Sequence, residues 1–353
     1  MTTRILHVVC AVLLAFATSG ASPLQPAKSS GEGTARAVAA ADAFLATLDP
    51  VQRQKANVEL NEQTRIIWSN LPTGAKMQVG ATERNGVKLA DLAPAQERAA
   101  LALVAATLSP DGFQKAMAIV DADQVLEERS APTRKAGAPV RFGRGEYYVA
   151  VLGKPSATAS WMIQFGGHHL AINVTLAGRE KVLAPTHTGT QPASFTLDGR
   201  TVRPLGDEND KAFTLINALD DEQKKQAILS YEVRNLVLGP GNDGKMIAPE
   251  GVRVSTFTPA QRSMLVDLIR EWVDILEEEA AATKIKDVEA GLAGTYFAWA
   301  GSTTNGNGAY FRIHGPTVLI EYAPQGPADT NIDHIHTIFR DPTNDYAARV
   351  ISR

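Results

Sequence analysis

Histidine is the residue type in this chain whose spacing is best suited to chemistry. His334 and His336 are two residues apart, and on a β-strand that spacing sends both side chains to the same face. Two imidazoles on one face provide half of a transition-metal site. The spacing therefore predicts that both histidines bind one divalent metal ion, with the ligand nitrogens of the site within about 5 Å of one another.

A second pair, His168 and His169, directly follows two glycines. Adjacent residues on a strand point to opposite faces, so we expect at least one of the two to join His334 and His336. We favour His169, because it continues a regular strand, whereas His168 lies at the bend that the glycines permit. The alternative is that all four histidines only form hydrogen bonds within the sheet.

A carboxylate is expected to complete a histidine-rich site, and the candidates are Glu321, Asp333 and Asp341. Glu321 is a charged residue within the otherwise apolar stretch 317–322. Such a charge must be paired, exposed or bound to a cation. Glu321 is therefore our candidate for a catalytic acid or base.

Arg340 follows the histidine strand and is the second candidate catalytic residue, as an anchor for a carboxylate or phosphate of a ligand. Asp341 or Asp345 could orient a histidine from behind. The alternative is that Arg340 ties down the C-terminal tail and the acidic residues form a turn. For Asn344 and Asp345 we favour the turn.

The N-terminus indicates the compartment. Arg4 precedes the apolar run Ile5–Ala17, and small residues at 19 and 21 fit cleavage before Ser22. Residues 1–21 are thus predicted to be a signal peptide, and the protein to be exported to the periplasm or beyond the cell. The run is too short to span a bilayer, so we expect no stable membrane insertion after cleavage.

Cysteine chemistry is excluded from the mature chain, because the single cysteine, Cys10, lies in the predicted signal peptide. A metal must then be held by imidazoles and carboxylates, which suits zinc, copper, iron or nickel as divalent ions and makes copper(I) the least favoured.

Composition is that of a soluble globular protein, with 44% hydrophobic and 21% charged residues in 353. Lys and Arg number 35 against 38 Asp and Glu, and aromatic residues make up 6%. This balance argues against nucleic-acid binding. The expected partner is a small molecule or a metal ion.

Apolar spacing and β-branched runs predict the order of the elements. Residues 22–34 are predicted to be a flexible leader, and the stretch up to about 128 mainly helical. Strand-like runs then cover 142–176, a helical insertion covers about 210–238 and 259–282, and strands return over 296–339. We predict a single α+β domain over 35–353, with a mostly antiparallel sheet built from two separate stretches of sequence.

A weak recurrence marks four predicted helix starts, at residues 49–52, 93–96, 220–223 and 258–261. Each ends in Gln, at the third helical position, where its amide can bond back to the cap. We favour shared capping chemistry as the explanation over a duplicated binding unit.

Four motifs give the chain a resemblance to an uncharacterised family of bacterial and fungal proteins, the one catalogued as domain of unknown function 3500. The motifs are Gln164–Leu170, Tyr296–Gly301, Gly315–Gln325 and His334–Tyr346. The resemblance implies one family-wide domain from about Ala40 to Tyr346, and it implies no activity. The polar residues that match its motifs are His168, His169, Glu321, His334, His336, Arg340, Asp341, Asn344 and Asp345. His187 and His314 lie outside the matching positions, which disfavours them as ligands.

Three classes of function fit these residues. A metalloenzyme acting on a small molecule needs an open coordination position and a proton carrier, such as Glu321 or Asp333. A metal-binding or trafficking protein needs the same histidines without a substrate pocket. A binding or structural module without metal uses them for hydrogen bonds. We favour the metalloenzyme.

Overall fold

The computed structural model describes residues 30–75, 84–326 and 332–351, and it confirms the α+β class. The predicted signal peptide lies outside the described residues. Residues 30–34, which we expected to belong to a flexible leader, form the first turns of α1. The helices are α1 Ser30–Thr47, α2 Pro50–Ala56, α3 Pro94–Thr107, α4 Pro110–Ser130, α5 Gly206–Ala218, α6 Asp221–Ala227, α7 Pro259–Val273, α8 Glu278–Gly291 and α9 Ala348–Ile351. Within the described residues, none of these helices is long and apolar enough to cross a membrane.

Twelve strands of the described chain form one mostly antiparallel sheet, and β8 and β9 form a separate hairpin. The strands are β1 Asn57–Val58, β2 Val87–Lys88, β3 Tyr148–Leu152, β4 Ser160–Gly167, β5 Leu170–Ala177, β6 Glu180–Val182, β7 Thr186–Thr190, β8 Phe195–Leu197, β9 Arg200–Val202, β10 Val252–Arg253, β11 Tyr296–Gly301, β12 Ala309–His314, β13 Leu319–Pro324 and β14 Ile335–Arg340. As predicted, the long strands of the large sheet come from two stretches of sequence, whereas the two-residue strands β1 and β2 lie in the stretch predicted to be mainly helical.

The order of the sheet is β1-β3-β4-β5-β7-β14-β13-β12-β11-β10. β7 and β14 therefore join the two stretches, antiparallel, at the centre. β7 was not among the predicted strands. Its threonines and glycine lack the apolar side chains that would have marked it as a buried strand.

The two halves of the chain repeat the same unit. Residues 86–96 (GVKLADLAPAQ) correspond to residues 251–261 (GVRVSTFTPAQ). Each segment contains a short strand, a turn of 3₁₀ helix and the start of a long helix. Each short strand pairs antiparallel with the first strand of the meander that follows it, β2 with β3 and β10 with β11. The strands β3-β4-β5-β7 then match β11-β12-β13-β14 in order and pairing.

The recurrent glutamines belong to this repeat. The structure confirms capping boxes at the starts of α2, α6 and α7, and Gln96 bonds back to the cap position of α3 in the same way. The Gln52 and Gln96 amides also bond to each other, and so do those of Gln223 and Gln261. Each pair therefore joins two helix starts within one half, which shared capping chemistry alone does not explain.

β7 and β14 pair antiparallel at the junction of the two repeats, with Thr188 opposite Thr337. His187 and His336 each directly precede one of these threonines, so both lie on the same face of the sheet. The two strands therefore bring a histidine from each half to the centre of the sheet, and the two rings lie 5.0 Å apart between centroids.

The two faces of the sheet are covered differently. On one face Thr337 accepts a hydrogen bond from the indole N–H of Trp272 in α7, within the helical layer and main core. On the other face Ile338 packs against Trp68 and Tyr346, which come from irregular segments. His336 alternates with Thr337, so it lies on the face covered by irregular segments.

The predicted helical insertion differs from the structure in its middle. Residues 228–251 follow α6 without a helix, and residues 237 and 238 are instead held by the sheet through Glu321. The helix ends at Ala227 because the next amide but one, that of Leu229, donates to the carbonyl of Trp299 on β11 at 2.7 Å and not to a preceding helical turn.

Candidate metal centre

His168 and His169 form the two-residue turn between β4 and β5, closed by the pair Gly167 and Leu170. His169 has a φ of 106°, a value that favours glycine. The expectation that His169 continues a regular strand is therefore wrong, since both histidines are turn residues. Both side chains extend from this turn toward His334, so both histidines belong to one group with it.

Three hydrogen bonds hold the backbone of this turn. Tyr147 donates its hydroxyl proton to the carbonyl of His168 at 2.6 Å, and the amide of His169 donates to the carbonyl of Asn70 at 3.2 Å. His187 donates from Nδ1 to the carbonyl of His169 at 3.1 Å. An unfavourable φ persists where surrounding contacts fix the backbone, and such positions are common at functional sites.

His334 and His336 reach the same point from the start of β14. The Nε2 atom of His334 lies 2.9 Å from Nε2 of His169 and 3.2 Å from Nε2 of His336. One nitrogen each of His168, His169 and His334 lies within 4.8 Å of the others. We predicted that His334, His336 and at least one of His168 and His169 would converge within about 5 Å; the three that do so are His168, His169 and His334, and His336 contacts His334 beside them. We call these four residues the histidine cluster.

Two rings of the cluster have their outer nitrogens bonded. Nδ1 of His168 donates to the buried carboxylate of Asp123 at 2.6 Å, so its Nε2 carries the lone pair when the ring is neutral. Nδ1 of His336 accepts a hydrogen bond from the side-chain NH₂ group of Gln325 at 2.7 Å, so in the neutral ring the proton is on Nε2. Partners behind histidines fix the orientation of the rings.

His187 lies directly behind the cluster. Its Nδ1–H bonds to the carbonyl of His169, and its Nε2 accepts from the Asn70 amide at 3.3 Å. Both ring nitrogens are used, so His187 supports the cluster and has no lone pair left for a metal.

Burial keeps the rings in their neutral form. It lowers the pKa of His169 and His336 well below the ordinary value of 6.5, and the charges of neighbouring rings lower both further. Burial also lowers the pKa of His334 to about 4 and that of His187 to about 3. At neutral pH these imidazoles therefore carry lone pairs, as metal ligands must.

Glu321 is fully buried in a separate network. Its two oxygens accept hydrogen bonds from the amides of Val237 and Leu238, at 3.1 and 2.7 Å, and from the hydroxyl of Tyr310 at 2.6 Å. Among the described residues, no histidine is a hydrogen-bond partner of Glu321. These contacts favour a structural role for this carboxylate.

Arg340 is buried and bonded through all three guanidinium nitrogens. They donate to the carbonyls of Leu238 and Gly239 and to the carboxylates of Asp243 and Asp345. The neighbouring carboxylates raise the pKa of Arg340 despite its burial. These contacts match the alternative in which Arg340 ties down the tail.

The other acidic candidates also have partners elsewhere. Asp341 accepts from the backbone and hydroxyl of Thr343 and from Lys284, and Asp333 accepts from the amide of Ala193. Asn344 and Asp345 bond to nearby backbone amides, which fits the favoured turn. Asp123 is the carboxylate bonded to the cluster, and the sequence analysis missed it. The signal was a charge among buried positions of a helix, α4.

Comparison with known proteins adds the family. A model described as a protein of unknown function, DUF3500, matches residues 30–348 of the chain. The chain belongs to the DUF3500 family. No curated protein and no solved structure matches it. The resemblance inferred from the four motifs is confirmed, and it leaves the function to be argued from the site.

A cleft of about 660 Å³ opens beside the cluster of this DUF3500 chain. Residues 63–71 form one wall and residues 235–243 the other, and His336 and Gln325 reach it from the sheet. Small-molecule sites commonly have volumes of roughly 300–1,000 Å³. The cleft could therefore bring a small molecule to the edge of the cluster.

Proposed function

We propose that this protein binds one divalent transition-metal ion at the histidine cluster and uses it on a small molecule held in the adjoining cleft. The observation that carries the proposal is that one nitrogen each of His168, His169 and His334 lies within 4.8 Å of the others, with Nε2 of His169 at 2.9 Å from Nε2 of His334. Nitrogens bound to one tetrahedral zinc ion at 2.0–2.1 Å lie about 3.3 Å apart.

The protonation of His168 supports a metal ion at the cluster, whereas the contact between His334 and His336 is also accounted for by a hydrogen bond. A neutral imidazole has one N–H and one lone pair, so two facing Nε2 atoms form a hydrogen bond only if one of them carries the proton. Nδ1 of His168 carries the proton of that ring, because its partner is the Asp123 carboxylate. A metal ion can accept lone pairs from His168, His169 and His334 at once, and from His336 once the Gln325 amide turns its oxygen toward Nδ1.

The ligand set limits the choice of metal. Imidazole ligands suit zinc, copper, iron and nickel, whereas magnesium and calcium prefer oxygen. When bound, such a metal supplies Lewis-acid activation of a substrate oxygen or nitrogen. The protein's own residues hold the ion, fix the rings from behind and line the path by which a small molecule approaches.

A metal-binding or trafficking protein is the second candidate. It is favoured by the absence of a free acid or base at the cluster among the described residues, since Glu321, Asp333 and Arg340 all bond elsewhere. The cleft favours the enzyme, because a storage site needs no small-molecule cavity beside it. The two candidates differ in whether a metal-loaded protein turns over a cleft ligand.

Elemental analysis tests the metal. We expect about one transition-metal ion per chain in protein purified without a metal-affinity step, and loss of that ion in His169→Ala and His336→Ala. His314→Ala is the matched control, because His314 lies on β12 and bonds to no residue of the cluster. Equal metal content in wild type and both cluster variants would exclude the site.

Export to the periplasm or beyond the cell is part of the proposal, on the strength of the N-terminal sequence. Sequencing the N-terminus of the protein from its native host should find a chain that begins at Ser22. A chain that retains Arg4 and the apolar run would contradict export by cleavage.

A further inference from the structure

The cleft lies where the two repeated halves meet. Its walls follow α2 and α6 at nearly the same distance along the chain, with residues 63–71 in the first half and 235–243 in the second. Both lie on the face of the sheet that carries His336. Ligand sites commonly occur between structural units because each unit supplies one wall.

Positive charge is missing from the lining. Among the described residues that line the cleft there is no Lys or Arg, and Asp243 is the one carboxylate. Asp243 accepts hydrogen bonds from Arg340 and Tyr346, at 3.1 and 2.8 Å. All three guanidinium nitrogens of Arg340 already donate hydrogen bonds to its four partners, so Arg340 offers no charged donor to a phosphate or carboxylate.

Side-chain amides supply the hydrogen-bonding groups instead. The Oδ1 atom of Asn235 accepts from the amide of Leu236 at 2.7 Å, which leaves its NH₂ group as a donor. The NH₂ group of Asn242 donates to the carbonyls of Gly239 and Pro240, which leaves its oxygen as an acceptor. One wall therefore presents both a neutral donor and a neutral acceptor.

Apolar side chains alternate with these amides. Ile66 on the opposite wall is 43% exposed, and it lines the same cleft as Leu236 and Pro240. A ligand that covers Ile66 gains hydrophobic stabilisation while its polar groups bond to the amides. This combination suits an uncharged organic molecule with hydroxyl or amide groups.

We infer that the cleft takes neutral, hydroxyl- or amide-bearing small molecules and discriminates against phosphorylated and carboxylated ones. The inference rests on the proposed function in one respect, namely that the cleft delivers its ligand to the metal. The charge of the lining does not depend on the metal, so the two ideas can fail separately.

The test uses matched fragments and metal-free protein, because a bound metal would itself attract anions. Binding of benzamide, benzyl alcohol and phenylacetamide is compared with that of benzoate and phenylacetate by saturation-transfer NMR. We expect the neutral fragments to bind at least tenfold more tightly than the isosteric acids. Asn235→Trp, at an exposed position on the wall, should abolish this binding by filling the cleft.

Two further variants complete the design. Asn235→Lys adds a cation to the wall and should shift the preference toward the acids, whereas Gln226→Trp, exposed on α6 away from the cleft, should leave binding unchanged. Acids that bind wild type as well as the amides, binding that survives Asn235→Trp, or no fragment binding at all would overturn the inference. Metal content, measured separately, decides the proposed function.

Discussion

The bond made by the outer nitrogen of each histidine decides what its inner nitrogen can do. His168 has a carboxylate behind it and His187 a backbone carbonyl, and both partners accept a proton from Nδ1. For His168 this leaves Nε2 directed to ligand binding, while for His187 the Asn70 amide occupies Nε2. Two similar rings thus acquire different roles from their neighbours alone.

Asp123→Asn tests the partner behind His168. An amide can donate to Nδ1, which would move the ring proton to Nε2 and remove a metal ligand. We expect metal affinity to fall about 10- to 100-fold, measured by competition with a chelator. Asp121→Asn is the control on the same helix, since Asp121 pairs with Arg144. Equal losses in both variants would attribute the effect to α4 and not to His168.

Glu321→Gln separates a structural carboxylate from a catalytic one. Glu321 accepts three hydrogen bonds, and the NH₂ group of glutamine would face one of those donors. We expect a loss of about 1–3 kcal/mol in the free energy of unfolding, measured with urea, and unchanged metal content. Normal stability together with lost turnover of a cleft ligand would return Glu321 to its predicted catalytic role.

Sequence reasoning at this scale could find the histidine pairs because their spacing is local. It could not find Asp123, His187 or Gln325 as partners of those pairs, since each contact joins residues far apart in the chain or strands not yet paired. The expectation that a charge at Glu321 requires a compensating contact was correct. The sequence could not tell that the partners would be two backbone amides and a tyrosine.

The central strands bring the two histidine pairs together, and one glycine makes room for them. A Cβ atom at Gly189 would lie 3.1 Å from Cδ2 of His336 and 3.3 Å from Cε1 of His187. Both distances are shorter than an ordinary van der Waals contact. Glycine at this position of β7 therefore allows the rings from the two halves to lie side by side.

Gly189→Ala should displace the His336 ring without removing any ligand. We expect weaker metal binding, by tenfold or more, and a loss of about 1–3 kcal/mol in the free energy of unfolding, because the new methyl group would also lie 2.9 Å from the carbonyl oxygen of Ile335. Titration with a chromophoric chelator measures the affinity. Gly294→Ala is the control, since its Cβ would make an ordinary contact at 3.4 Å. Unchanged affinity would mean that His336 does not bind the metal.

The strands of the main meander were predictable because their β-branched and aromatic runs are continuous. The conformation of the β4–β5 turn was not, because an Asn or Gly is the usual residue at a positive φ and His169 gives no such signal. β7 was missed for a similar reason, as it is made of threonine, histidine and glycine. Its place is fixed by pairing with β14 and not by its own composition.

At the scale of the molecule, the repeat explains where the site lies and why there is one. By the register of the strands, the counterpart of His187 is Arg340, and the counterpart of the His168-His169 turn is Pro316-Thr317 at the β12–β13 turn. The second half therefore has no histidines at the positions that correspond to His168 and His169. One histidine cluster forms at the junction of two similar units, next to the cleft that they share.

The stability of the metal-free protein should fall steeply in mild acid. His169, His187, His334 and His336 have folded-state pKa values below the unfolded value of about 6.5, so their contribution to stability is present above pH 6.5. It is lost as pH falls toward the folded values, about 4 for His334 and about 3 for His187. Each histidine that protonates only on unfolding costs about 1.4 kcal/mol per pH unit in this window.

Urea unfolding of the chelator-treated, dialysed protein between pH 7.5 and pH 5 measures this slope. The slope should correspond to uptake of more than one proton on unfolding, because several rings share the same environment. His187→Gln should flatten it by about one proton, since glutamine keeps hydrogen-bonding groups but does not titrate. A metal ion that binds only the folded state, at about 100 times its dissociation constant, should add roughly 2.7 kcal/mol at pH 7.5 and nothing to His336→Ala. Stability that stays constant or rises as pH falls would show that these rings are already protonated in the folded protein, and a cluster of protonated rings could not hold a metal.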